Sequence, residues 1–144
     1  MKEVVLKATE GQQINVLGDN QVIKLTGKET NGQFAVIMQH LPPGAGVPKH
    51  VHSNGDEHFH ILEGEVHFEV GNDDYTLKAG DMIFLPRGVP HSVHVTGDQT
   101  AVIRLTAVPA GAEDMFMELD KLPAGPPDFA RVSEICGRYG ISFL

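Results

Sequence analysis

The chain has 144 residues, with 11 Lys and Arg against 19 Asp and Glu, and a formal net charge of −8. Nucleic-acid affinity rests on cationic side chains that neutralise phosphates, so this acidic balance without a basic cluster argues against a nucleic-acid partner. The length suits one domain with a single core, the one cysteine excludes an intrachain disulfide, and the absence of an apolar run of about 18 residues argues against a membrane span.

Short runs of alternating apolar and polar residues, separated by turn signals such as Asn31-Gly32 and Gly71-Asn72-Asp73, predict an all-β domain of the sandwich or barrel type. The first residues, Met-Lys-Glu-Val-Val-Leu-Lys, lack the apolar centre of a signal peptide, so we expect a cytoplasmic protein. The predicted strands cover residues 12–16, 21–26, 33–41, 49–52, 57–63, 65–70, 74–78, 82–85, 91–96 and 100–108.

After Pro109 the pattern changes from alternation to helical spacing. It predicts two short helices, one over residues 113–119 and one that Asp128 opens, joined by a loop rich in Pro and Gly. Gly137 or Gly140 ends the second helix. We therefore expect one domain in two parts: a β-barrel over residues 1–108, and a helical appendage packed on it over residues 109–144.

Four residues predict a metal site. His50 and His52 are two apart on a predicted strand, so both imidazoles point to one face about 6.6–6.8 Å apart. Glu57 follows on the return strand, and His91 comes from a Pro-Arg-Gly-Val-Pro-His turn. Three imidazoles and one carboxylate suit a divalent Fe, Mn, Ni, Co, Cu or Zn ion with vacant positions rather than a closed structural zinc.

The same residues belong to two longer patterns, G-x5-H-x-H-x4-E-x6-G and G-x5-P-x-G-x2-H. The first contains Gly44, His50, His52, Glu57 and Gly64, and the second contains Gly80, Pro86, Gly88 and His91. On these motifs the chain resembles the cupin superfamily and its small, single-domain bacterial members. The helical tail, with Arg-Tyr-Gly-Ile at residues 138–141, resembles the end of the bacterial quercetin 2,3-dioxygenase-like cupins. The resemblance implies a double-stranded β-helix, or jelly-roll barrel, which holds one metal ion, and a homodimer. The amphipathic segment Val4-Val5-Leu6, which has no obvious partner in its own sheet, would suit strand exchange between two copies.

Strand alternation predicts the lining of the barrel cavity, because every second side chain points inward. With Glu57 inward, the predicted pocket residues are Phe59, Ile61, Val66, Phe68 and Val93. The outward phase holds His58, His60, His67 and His94. The stretch before the first motif has apolar residues in both phases, so either Gln39 or His40 faces the cavity.

A divalent ion with one carboxylate ligand keeps a positive charge, so its vacant positions attract an enolate, a phenolate or a carboxylate. The resemblance implies a dioxygenase that acts on a planar, oxygen-chelating small molecule, a flavonol, a diketone or a phenol, with dioxygen as the second substrate. Glu57 would serve as ligand and catalytic base. Two alternatives stay open: a metal- and ligand-binding cupin without turnover, and an isomerase or decarboxylase of a small acid. The latter calls for an inward cation, for which Arg104 is the nearest strand candidate.

Overall fold

In the computed structural model, which describes residues 1–144, the chain folds into two antiparallel β-sheets followed by a helical tail. The first sheet has six strands and the second has five. The strands are β1 (Gln12–Val16), β2 (Asp19–Leu25), β3 (Ala35–Leu41), β4 (Gly46–His52), β5 (Asp56–Glu63), β6 (Glu65–Val70), β7 (Asp73–Lys78), β8 (Met82–Leu85), β9 (His91–Thr96), β10 (Ala101–Val108) and β11 (Ile141–Phe143). The helices are α1 (Ala112–Asp120) and α2 (Phe129–Arg138).

The strand order is β1-β2-β3-β10-β5-β8 in the first sheet and β11-β4-β9-β6-β7 in the second. From β3 to β10 consecutive strands alternate between the sheets, except for the β6–β7 pair, and one core cluster draws buried residues from both sheets. The predicted all-β barrel with a short helical tail is confirmed. The largest boundary difference is at β4, which begins at Gly46 because Gly46 and Val47 pair with β9 before the first histidine.

Buried and more exposed side chains alternate strictly along the central strands of the first sheet. On β3 every second residue from Ala35 to Leu41 is buried, and β5 and β10 show the same period. This phase buries Gln39 and leaves His40 half-buried on the opposite face. Gln39 is therefore the inward residue of the two that the sequence left open.

The tail packs its apolar residues into the same core as the barrel. Asp128 caps α2, because its side chain accepts hydrogen bonds from the backbone N–H groups of Ala130 and Arg131. The helix ends at Arg138, and Gly140 then takes the left-handed conformation with φ of 80°, whereas Gly137 lies inside the helix. Neither helix combines the length and the apolar character that crossing a membrane requires.

The short strand β11 was not predicted from the sequence. It pairs antiparallel with β4 and places Phe143 opposite His50 and Ile141 opposite His52. The tail thereby extends the second sheet and brings its last residues beside the predicted metal ligands.

Candidate metal centre

The two sheets bring His50, His52, Glu57 and His91 together. One potential ligand atom from each lies within 4.8 Å of those of the other three. His50 and His91 are register partners on β4 and β9 of one sheet, while Glu57 comes from β5 of the other. The cluster therefore spans the interior between the two sheets.

Backbone carbonyls fix the orientation of two of the imidazoles. His50 Nδ1 lies 2.8 Å from the Pro48 carbonyl oxygen, and His91 Nδ1 lies 3.1 Å from the Val89 carbonyl oxygen. Because a carbonyl only accepts, each Nδ1 carries the hydrogen and each Nε2 keeps a lone pair. This is the tautomer that binds a metal through Nε2.

Three buried atoms at the centre of the cluster have no hydrogen-bond partner. Glu57 Oε1 lies 3.1 Å from His52 Nε2 and 3.2 Å from His91 Nε2, yet none of these contacts has hydrogen-bond geometry. Buried polar atoms without partners are rare, and each one that persists calls for an explanation. A cation that receives their lone pairs accounts for all three, and a set of three nitrogens and one oxygen fits a divalent transition metal.

The ionisation of the cluster also suits a cation. Burial lowers the pKa of His50 to about 4, and the nearby His91 and His52 add to the lowering. Burial by itself would raise the pKa of the Glu57 carboxyl, but contact with His52 and His91 brings it down to about 2. At neutral pH His50 is therefore neutral and Glu57 is a carboxylate, the forms that ligate metals.

A cavity of about 390 Å³ opens from this cluster into the barrel. Of the five expected pocket residues, Phe59 and Val93 line it. Ile61, Val66 and Phe68 do not; they are fully buried in the core, and the Phe68 ring packs 5.6 Å from the Phe59 ring. Alternation distinguishes inward from outward side chains, but it does not tell at which depth the core closes beneath the cavity.

No Lys or Arg lines the cavity. Arg104 lies on the outer face of β10, between the buried Ile103 and Leu105, where its Nη2 is 2.9 Å from His60 Nδ1. The outward phase predicted for His58, His60, His67 and His94 is confirmed, since none of them joins the cavity lining.

Sequence reasoning missed the part of the cavity wall formed by β2 and the tail. The unpredicted lining residues include Asp19, Gln21, Met115, Phe116 and Phe143. Burial raises the pKa of the Asp19 carboxyl to about 6. The available signal was Asp19-x-Gln21, a pair of polar residues on the strand phase that continues with the apolar Ile23 and Leu25.

A family model described as "Cupin domain" matches residues 37–108, so the chain belongs to the cupin family. The oxalate-binding protein of Thermotoga maritima is 35% identical over 83 residues, which cover 56% of this chain and 69% of that protein. Quercetin 2,3-dioxygenase of Bacillus subtilis is 24% identical over 102 residues, which cover 71% of this chain.

The match to the Bacillus enzyme covers only 30% of that enzyme's length. Among solved structures, KdgF from Halomonas sp. superposes with a TM-score of 0.67 at 18% identity and covers 78% of this chain and 99% of its own. This protein is thus a cupin with a cluster of three histidines and one glutamate that can hold a metal ion.

Proposed function

We propose that this cupin is a metal-dependent dioxygenase that acts on a planar, oxygen-chelating small molecule such as a flavonol, a diketone or a phenol. The observation that carries the proposal is the position of the His50, His52, Glu57 and His91 cluster, which opens onto a mostly apolar cavity without Lys or Arg. A cavity of this size and polarity suits a flat apolar ligand whose few polar atoms approach the ion. The similarity to quercetin 2,3-dioxygenase supports the same substrate class.

A divalent transition metal held by the four residues would supply a positive charge that lowers the pKa of a chelating hydroxyl group, together with redox chemistry toward dioxygen. Glu57 is ionised, buried and close to any ligand at the cluster, so it can accept the proton of that hydroxyl group. The Glu57 carboxyl has a lowered pKa and stays ionised at neutral pH, so the proton it accepts must come from a hydroxyl group that is itself acidified.

The apolar wall has a second role in the proposed reaction. Phe59 and Val93 line the cavity from the barrel, and Phe143 closes it from the tail, with its ring 5.9 Å from the His50 ring. These side chains exclude water from the reacting groups and offer aromatic faces to a planar ring. The tail is therefore part of the proposed active site.

The test is dioxygen uptake by the protein reconstituted with each candidate metal, against a panel of flavonols, diketones and catechols. We expect uptake with at least one metal and one substrate class, and its absence from every pairing would refute the dioxygenase proposal. In the active pairing, and at a metal concentration that keeps the site loaded, Glu57→Gln should lower turnover by roughly 10²-fold or more. His94→Asn, on the exposed face of β9, is the matched control. Full turnover of the Glu57→Gln variant with metal bound would remove the base role.

A second candidate function is binding or conversion of a small acid. The relative that binds oxalate favours it, and so does a pocket of about 210 Å³ on the other side of His52 and Glu57, which Arg138 lines. Arg138 is already paired with Glu118 at 3.2 Å, which weakens its attraction for a further anion. Calorimetric titration of the metal-loaded protein with oxalate and with a flavonol separates the two classes, and tight binding without turnover would identify a binding protein.

We further propose a cytoplasmic homodimer. Residues 1–11 form no strand within the chain, and Val5 is 76% exposed, which supports pairing of this segment with a second copy. Gel filtration at micromolar concentration should give twice the mass of the chain, and a monomer mass would contradict the dimer.

A further inference from the structure

Two buried glutamines face the cavity at a distance from the metal cluster. Gln21 on β2 and Gln39 on β3 are direct register partners, and both line the cavity. They are 2% and 7% exposed, respectively. Only β10 lies between β3 and β5, so two strand spacings place Gln39 about 10 Å across the sheet from the strand that carries Glu57.

The Gln21 amide lacks the partner that a buried polar group needs. Its Oε1 is shielded from solvent and has no hydrogen-bond partner in the protein. Burial of an unpaired amide costs free energy that a leucine of nearly the same size would not cost. An amide held in this state on a strand that faces a cavity is explained if a ligand supplies the partner.

The charged residues around Gln21 and Gln39 determine which kind of polar group the two amides would bind. No Lys or Arg lines the cavity, so an anionic group has no cationic partner there except the proposed metal ion at the other end, and the Asp19 carboxyl on the same strand as Gln21 disfavours an anion beside the pair. An amide oxygen and a carboxylate both accept hydrogen bonds, whereas an amide N–H donates. An uncharged hydroxyl group satisfies both kinds of partner.

We propose that Gln21 and Gln39 form a second recognition subsite, which binds an uncharged hydroxyl group on the part of a planar ligand that lies away from the metal cluster. The inference rests on the proposed function for the other end of the ligand, which chelates the ion. The subsite selects hydroxylated planar molecules over unsubstituted ones of the same shape. It thus determines specificity without taking part in the chemistry.

The test uses two probes, 2-naphthalenemethanol and 2-ethylnaphthalene, which differ by a hydroxyl group in place of a methyl group. Neither probe chelates, and their binding to the metal-loaded protein is followed by naphthalene fluorescence. The leucine variants keep the metal cluster, so a preference that they lose belongs to the subsite and not to contact of the alcohol with the ion. The wild-type protein should prefer the alcohol, and Gln21→Leu and Gln39→Leu should each weaken binding of the alcohol by about tenfold and leave binding of the hydrocarbon unchanged or tighter. Gln13→Leu, at an exposed position of β1, is the matched control and should keep the preference.

A second measurement separates recognition from a structural role. The Gln21→Leu protein should have a higher Tm than the wild type without ligand, because the unpaired amide is gone. Equal binding of the two probes, binding of neither, or retention of the preference in both leucine variants would overturn the subsite. These results do not depend on dioxygen or on chelation. A failure of dioxygen uptake therefore refutes the proposed reaction but not the subsite. Loss of the probe preference refutes the subsite but not the proposed reaction.

Discussion

Loss of one imidazole from the cluster should abolish most of the stabilisation that a metal ion gives the folded chain. His91 is 2% exposed and lies inside the cluster, whereas His94 on the same strand is exposed and points away from it. His91→Asn therefore removes a proposed ligand, and His94→Asn is a matched change of residue type on the same strand. Only the first substitution should alter the response to metal.

The magnitude follows from mass action. A ligand at 100 times its Kd that binds only the folded state stabilises it by ~2.7 kcal/mol. For a chain close to 150 residues, each kcal/mol shifts the Tm by about 2–4 °C, so the wild type should gain roughly 5–11 °C. Loss even of an outer hydrogen-bond partner of a ligand weakens metal affinity by up to about 100-fold, so loss of the ligand itself should weaken it at least as much. At the same metal concentration ~0.4 kcal/mol then remains, or about 1–2 °C.

The assay is thermal unfolding followed by circular dichroism, with each variant measured after chelator treatment and again with added metal. Each protein serves as its own reference, so a change in the metal-free Tm does not affect the comparison. A full metal-dependent shift in the His91→Asn variant, or an equal loss of the shift in the His94→Asn variant, would refute the reasoning.

Two further predictions concern the scaffold. The Tyr139 hydroxyl donates to Glu118, which lowers the pKa of that carboxyl and raises the pKa of Tyr139 to about 12. Tyr139→Phe should therefore lower the free energy of unfolding at neutral pH. The difference from the wild type should shrink as pH falls through the lowered pKa of Glu118, and it should shrink again as pH rises above about 10. Denaturation curves that give a pH-independent difference would contradict this. A Cβ on Gly46 would lie 2.2 Å from a carbonyl oxygen of β9, so Gly46→Ala should cost about 1–3 kcal/mol of unfolding free energy. Gly137→Ala, in open space within α2, should instead add about 0.5–1 kcal/mol, and urea denaturation that gives the same sign for both would count against the packing account.

The strands and the four clustered residues could be predicted because both depend on local periodicity. Alternation along a strand fixes which side chains share a face, so His50 and His52 had to point together and Glu57 had to follow the inward phase. Asp128 was recognisable as the start of α2 because its side chain caps the helix through residues close in sequence.

The features that could not be predicted depend on contacts between distant parts of the chain. Strand β11 has three residues and exists because it pairs with β4, far away in sequence. The depth of the cavity depends on how Ile61, Val66 and Phe68 pack across two sheets, which alternation does not encode. The inward position of Gln39 could not be predicted because its strand has apolar residues in both phases, so that only packing against the other sheet decides which phase is buried.

X-ray absorption spectroscopy of the metal-loaded protein, combined with metal analysis, determines whether the four clustered side chains bind one ion. We expect one ion per chain, bound by three imidazole nitrogens and a carboxylate oxygen at roughly 2.0–2.2 Å, with one imidazole lost in the His91→Asn variant. Fewer than three imidazoles in the wild type, or an unchanged spectrum for the His91→Asn variant, would contradict a shared ion at the centre of the cluster.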